Sequence, residues 1–168
     1  ESVNIPASVT SLGDSAFWKN KLASIEIPES VTFIGPGSFG LNQLKSIDIP
    51  SSVSVIGEGA FKGNQLDAAK LPESISVIEK QLFQDNRLSA FKIPSAAKSI
   101  GEDAFENNQL TEIEIPDGVT VIGDYAFRAN DLKSIAFGKN VSSIGQGAFW
   151  NNELQSLDIP SGVSEIRD

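Results

Sequence analysis

The sequence predicts a solenoid, in which 22-residue units stack in a row and each contributes a strand to a parallel sheet on one face. Three rows of residues, each spaced by 22 positions, indicate this arrangement. They are a proline row (Pro6, Pro28, Pro50, Pro72, Pro94, Pro116 and Pro160, with Gly138 in its gap), a phenylalanine row (Phe17, Phe39, Phe61, Phe83, Phe105, Phe127 and Phe149) and an asparagine row (Asn20, Asn42, Asn64, Asn86, Asn108, Asn130 and Asn152). A fixed step without insertion or deletion is typical of proteins whose repeats contact only their neighbours.

The first part of each unit has the pattern of a strand. In "LKSIDIP", Leu44, Ile47 and Ile49 follow an L-x-x-I-x-I spacing whose last part alternates like a strand with one buried face. Pro50 ends the strand, because proline has no N–H group for a continuing ladder.

The second part of each unit predicts a return to the core. In "SVSVIG", Val53 and Ile56 point inward, and Gly57 lies where the chain needs a positive φ or a close backbone approach. The following "EGAF" predicts a tight helical turn, in which Ala60 is small enough to approach the core and Phe61 fills it.

Asparagine closes each unit. The amide of Asn64 can satisfy backbone groups at a corner where no strand does so. One unit cannot bury its own hydrophobic face, but each added neighbour covers it, so we expect the core to be a continuous column.

Length and charge restrict the class of protein. The 168 residues (17.9 kDa, 40% hydrophobic) predict a single domain, residues 1–168, with about seven and a half repeats. Because the chain begins and ends partway through a repeat, we expect a fragment of a longer protein. A net charge of -9 disfavours nucleic acid and anionic lipid as partners, and no apolar run approaches the roughly 20 residues that span a bilayer, so we expect no membrane insertion.

Composition also disfavours catalysis. The chain has no Cys and no His, which excludes thiolate metal sites and every nucleophile–histidine pair. Neighbouring carboxylates such as Glu26 and Asp48 could lie about 5 Å apart, as in retaining glycosidases, but any acidic solenoid generates such pairs. We therefore predict no enzyme activity, no catalytic residue, no metal and no cofactor.

The repeat L-x-x-I-x-I-P-x-x-V-x-x-I-G-x-x-A-F-x-x-N closely resembles the BspA-like leucine-rich repeat family over essentially the whole chain. The resemblance implies a right-handed leucine-rich-repeat solenoid of β-rich α/β class, with a parallel sheet on one face and short helical turns. It also implies an extracellular or cell-surface bacterial protein that acts in adhesion or recognition. Family repeats usually have 23 residues with Cys-x-x-Leu at the corner, whereas this chain has Asn-x-Leu and 22.

Binding residues are predicted at the strand positions that alternate with the buried ones. Side chains at Ser24 and Glu26 should face solvent on the sheet, and the equivalents of Glu26 are acidic, then basic in the middle, then acidic again. The predicted binding residues are Ser24, Glu26, Ser46, Asp48, Lys70, Lys92, Glu112, Glu114 and Asp158. The alternative is a solvated face whose charges keep the protein soluble.

The central repeats depart from the pattern. Ala69 and Phe91 replace Ile, Ala97 replaces Val, Glu79 replaces Gly and Leu82 replaces Ala. Two interpretations remain open. The changes could compensate one another in volume through local repacking, or they could distort the sheet and shape a binding site.

The sequence therefore predicts a non-catalytic protein-interaction or adhesion module with a host or bacterial surface protein as ligand. The alternatives are a structural spacer and a glycan-binding accessory module. Trp18 and Trp150, six repeats apart, are predicted to cap the ends of the column. Because both ends cut through repeats, we also expect end-to-end self-association.

Overall fold

Residues 2–167, which the computed structural model describes, form a stack of turns that contains fourteen short strands. These are β1 (Ser2–Asn4), β2 (Ser11–Leu12), β3 (Ser24–Glu26), β4 (Phe33–Ile34), β5 (Ser46–Asp48), β6 (Val55–Ile56), β7 (Ala68–Lys70), β8 (Val77–Ile78), β9 (Ser99–Ile100), β10 (Glu112–Glu114), β11 (Val121–Ile122), β12 (Ser134–Ala136), β13 (Ser143–Ile144) and β14 (Glu165–Ile166).

The strands lie on two faces of the stack. On the first face, β1 pairs with β3, β5 with β7, and β10 with β12, all in parallel. On the second face, β2, β4 and β6 form one sheet, and β8, β9, β11, β13 and β14 form another. Paired residues such as Ser46 and Ala68 are always 22 positions apart, so each turn of the solenoid is one repeat and the predicted β-solenoid is confirmed.

Proline forms the corner between the two faces. The carbonyl of Pro50 accepts a hydrogen bond from the N–H of Val53 at 3.1 Å, and the other prolines of the row do the same. Gly138, which replaces proline in this row, keeps the turn with a bond of 3.4 Å to the N–H of Val141. The corner therefore depends on the tight turn more than on the proline ring.

We call the segments between the second-face strands and the asparagine row the third face. It contains tight turns where helical turns were expected. No helix occurs within residues 2–167, so the expected helical turns, and with them the α part of the predicted class, are wrong. Instead, the N–H groups of Gly59, Phe61 and Gly63 donate to carbonyls of the next turn at 2.8–3.2 Å.

Alternating backbone conformation explains this ladder. Gly59 and Gly63 have φ values of 59° and 66°, and their equivalents along the stack are also left-handed, including Tyr125 at 56° and Leu41 at 54°. Left-handed residues interrupt the helical hydrogen-bond pattern and direct N–H groups along the stack. The bonds between turns thus impose a conformation that a non-glycine side chain normally avoids.

The phenylalanine row forms the predicted column. Phe39, Phe61, Phe83, Phe105 and Phe127 are fully buried. Successive rings stack, with centroids 5.6 Å apart between Phe39 and Phe61 and 5.2 Å apart between Phe105 and Phe127. Each ring is therefore covered on both sides by its neighbours in the stack, as the repeat pattern requires.

The asparagine row joins successive turns. The Nδ2 of Asn108 donates to the carbonyl of Phe105 at 3.1 Å and to that of Phe83, one turn earlier, at 2.9 Å. Its Oδ1 accepts from the N–H of Leu88 at 3.0 Å. The same set recurs at Asn42, Asn64, Asn86, Asn130 and Asn152, which confirms that this amide satisfies the corner backbone.

Glycine follows six of the eight second-face strands, and at all of these except Gly13 it permits a close approach between turns. A Cβ atom at Gly57 would lie 2.4 Å from the backbone nitrogen of Pro36, so close approach explains this row. The glycine N–H groups bond to the preceding turn at 2.7–2.8 Å, whereas Arg167, in the same row, does so at 3.1 Å. At Glu79 the second face is interrupted, because β6 and β8 belong to separate sheets.

We expect Gly101→Ala to lower the free energy of unfolding by about 1–3 kcal/mol, the usual cost of overpacking. The added Cβ would lie 2.6 Å from the backbone nitrogen of Lys80 and 2.9 Å from the carbonyl of Ile78. Glu79→Ala is the matched control, at the same row position where the ladder is already open, and should cost less than about 0.5 kcal/mol. Urea unfolding measures both, and equal costs would contradict the role assigned to glycine.

Candidate functional site

All nine predicted binding residues have exposed side chains, and most lie on first-face strands. Ser24 and Glu26 are on β3, Ser46 and Asp48 on β5, Lys70 on β7, and Glu112 and Glu114 on β10, whereas Lys92 and Asp158 lie outside strands. Six of the nine residues line two surface depressions. Ser24, Ser46 and Asp158 line neither depression.

The first depression, of about 830 Å³, lies beside the proline corner and is lined by Glu26, Asp48, Lys70 and Lys92. Asp48 and Lys70 are register partners on β5 and β7, and the Lys70 Nζ lies 3.5 Å from the Asp48 Oδ1. Lys92 pairs with the carboxylate of Glu73. Each lysine of the predicted basic centre therefore faces a carboxylate, and the local charge is largely balanced.

Glu73 is held from two sides. Besides its bond to Lys92, its Oε2 accepts the N–H of Ser95, one turn later, at 2.9 Å. The hydrogen bond from Lys92, followed by those from Ser95, lowers the pKa of Glu73 from 4.5 to about 2.

A similar arrangement occurs two turns later, where a single lysine makes both contacts. The N–H of Lys139 donates to the Oδ1 of Asp117 at 3.0 Å, and its Nζ lies 2.9 Å from Oδ2, which together lower the pKa of Asp117. Both carboxylates directly follow a proline of the row. Sequence reasoning missed them, although an acidic residue after this proline was the available signal.

The first face is interrupted at residues 90–92, where the repeat predicts a strand. These residues form no ladder with β7 or β10. The Phe91 ring packs between two rings of the column, with centroids 5.2 Å from Phe83 and 4.8 Å from Phe105. Leu82 and Ala97, two further size changes of the central repeats, are fully buried. Local repacking and sheet distortion therefore occur together.

The second depression lies at this interruption, and we call it the central groove. It has a volume of about 690 Å³. Its apolar lining includes Ala68, Ala69, Ala90 and Phe91, and its charged lining consists of Lys92, Glu112 and Glu114. The groove follows from the departures in the central repeats, because Ala69 and Phe91 stand where most other repeats have Ile.

The two tryptophans contact the side of the column. A Cβ at Gly40, in the turn after Trp18, would lie 2.1 Å from the Trp18 ring, so that ring covers the glycine. Trp150 is 60% exposed and stacks with the Arg128 guanidinium, 4.5 Å from its ring centroid. Arg128 also pairs with Glu106 at 3.1 Å. These contacts lie along the flank of the stack, which is not the end-capping position predicted from the sequence.

The chain matches the BspA type leucine-rich repeat region, in six copies, over residues 1–88 and 56–168. The chain belongs to this family. The family match and the 22-residue turns of the structure confirm the resemblance seen in the repeat pattern. Among residues 2–167 no helix is long and apolar enough to cross a membrane.

Solved structures give the same fold. A leucine rich cell surface protein from Faecalibacterium prausnitzii is 27% identical, with a TM-score of 0.64, and the match covers 99% of this chain and 49% of that one. YopM from Yersinia enterocolitica shares the fold at 20% identity and a TM-score of 0.69, and the match covers 99% of this chain and 34% of that one. The pneumococcal vaccine antigen PcpA shares it at 16% identity and a TM-score of 0.54, and the match covers 96% of this chain and 51% of that one. The chain thus spans about half or less of these structures. No curated protein matches it.

We expect the Glu73 carboxyl group to titrate near pH 2 in a carbon-detected NMR titration. Because the folded pKa lies below the usual value, the stability from this contact is complete above about pH 4.5 and is lost as the pH falls through about 2. Lys92→Gln removes the main cause and should raise the pKa of Glu73 toward 4.5. The matched control, Lys70→Gln, removes the partner of Asp48 and should leave Glu73 near 2. A Glu73 pKa near 4.5 in the unmodified protein would contradict the assigned bonds.

Proposed function

We propose that the chain is a non-catalytic protein-interaction or adhesion module of a bacterial surface or secreted protein. Membership of the BspA type family supports the proposal, as does similarity to a Faecalibacterium prausnitzii protein described as a leucine rich cell surface protein. Its partner would be a protein of the host or of the bacterial surface. The contact surface is the first face.

The contrast between inward and outward positions on the first face carries the proposal. Inward positions such as Leu66, Leu88 and Leu110 repeat one residue type and are fully buried. Outward positions change from Asp48 to Lys70 and then from Lys92 to Glu114 in successive turns, and all are exposed. Because turns are spaced by about 4.8 Å, these side chains form a regular array with a varied charge pattern. Such an array can recognise one partner surface in preference to others.

Hydrogen bonding along the third face favours a second candidate, a structural spacer. Every turn from Phe17 to Phe127 donates backbone bonds to the next, including Phe17 to Ser38 and Phe127 to Ala148, both at 2.8 Å. A continuous ladder of this kind makes a stiff rod. A spacer requires no ligand, so binding separates the two candidates.

We expect the chain to bind a protein on an array of purified extracellular-matrix proteins and glycans. The double variant Lys70→Glu and Lys92→Glu should lose at least about tenfold in affinity, because it places new carboxylates beside Asp48 and Glu73 on the first face. The matched control is Lys19→Glu with Lys98→Glu, which changes the net charge equally on exposed positions outside that face. Its affinity should stay within about twofold of the unmodified chain.

Three results would contradict the proposal. Equal losses in both double variants would indicate a general charge effect without a first-face contact. An array on which the unmodified chain binds no protein would favour the spacer, and selective binding of a glycan would favour the accessory-module alternative.

A further inference from the structure

The central groove is apolar because small side chains occupy outward positions. Ala68 and Ala90 stand where the other turns have Ser or Glu, and Ala69 replaces an inward Ile. Phe91 is turned toward the column but stays partly exposed. The resulting volume of about 690 Å³ falls in the range of roughly 300–1,000 Å³ that is usual for ligand-binding clefts.

Backbone groups beside the groove lack strand partners. β7 ends one two-stranded sheet and β10 begins another, while residues 90–92 between them join neither. Unpaired strand edges offer N–H and C=O groups to an incoming chain. The groove thus combines an apolar lining with backbone groups that can bind the main chain of a partner.

The charge at the groove is negative. Lys92 is already paired with Glu73. Glu112 and Glu114 lie opposite the uncharged Ser134 and Ala136, and no salt bridge among the described residues involves either glutamate. A cation placed beside the apolar lining would therefore gain two free carboxylates without displacing an existing pair.

From these contacts we propose that the central groove receives one apolar side chain of a protein segment whose adjacent Lys or Arg pairs with Glu112 and Glu114. The inference rests on the proposed protein-binding function and specifies the partner's chemistry. A second copy of this chain fits less well, because its net charge of -9 repels the same carboxylates. A sugar fits less well because the Phe91 ring packs against Phe83 and Phe105, which leaves less of its face for stacking.

The test uses the peptide N-acetyl-Gly-Phe-Arg-Gly-amide and the ¹⁵N-labelled chain. NMR titration should show shifts at the amides of Ala68–Lys70, residues 90–93 and Glu112–Glu114. We expect this peptide to bind at least tenfold more tightly than the matched peptides with Glu in place of Arg or Ser in place of Phe. Equal binding of the Ser-Arg peptide would overturn the proposal, because charge alone would then suffice.

Variants at exposed positions keep the test independent of folding. Glu112→Gln with Glu114→Gln should weaken the Phe-Arg peptide about tenfold, whereas Glu58→Gln, at an exposed glutamate outside the first face, should not. Ala90→Gln should block the apolar lining, whereas Ser156→Gln, at the same repeat position three turns later, should leave binding unchanged. Loss in either control would overturn the assignment to the groove.

The array and peptide experiments distinguish a failure of the groove inference from a failure of the proposed function. If the chain binds an array protein but the peptide neither shifts the groove amides nor competes, the groove inference is wrong and the proposed function stands. If the peptide binds the groove but no array protein binds, the partner chemistry stands and the proposed function is contradicted.

Discussion

Each buried asparagine holds two turns of the solenoid together, and the other regularities depend on that contact. The amide of Asn108 bonds to backbone groups of Phe105 in its own turn and of Phe83 and Leu88 in the preceding one. A change in repeat length would move the amide away from these partners. The contact therefore fixes the 22-residue step, which in turn brings the phenylalanine rings into register in a single column.

A uniform scaffold leaves the outward positions free to vary. The third-face ladder is continuous from Phe61 through Phe83 to Phe105, although the first and second faces are both interrupted near Ala69 and Glu79. The central turns can therefore lose strand pairing without losing their place in the stack. This tolerance explains how a groove forms where residues 90–92 of the first face form no strand.

Sequence patterns predicted the rows well because each row repeats one physical role. The Asn and Phe positions, the outward strand residues and the irregular centre were all predicted from the 22-residue step. The helical turn was wrong, because bonds between turns impose positive φ on residues such as Tyr125. The pairing of Lys92 with Glu73 was also missed, since it depends on how neighbouring turns align side chains that are 19 residues apart. The sequence indicated a disturbance at Phe91, but not that the ring both packs into the column and interrupts the sheet, because this outcome depends on the ring's direction.

The most direct test of the asparagine contact is the free energy of unfolding of Asn108→Ala beside that of Asn20→Ala. Asn108 is buried and bonds to two turns, whereas Asn20 is exposed and bonds to the carbonyls of Phe17 and Trp18 in its own turn. Leaving buried backbone groups unpaired costs about 1–3 kcal/mol each, so we expect a loss of about 3 kcal/mol or more at Asn108 and under about 1 kcal/mol at Asn20. Similar small losses at both positions would contradict the account.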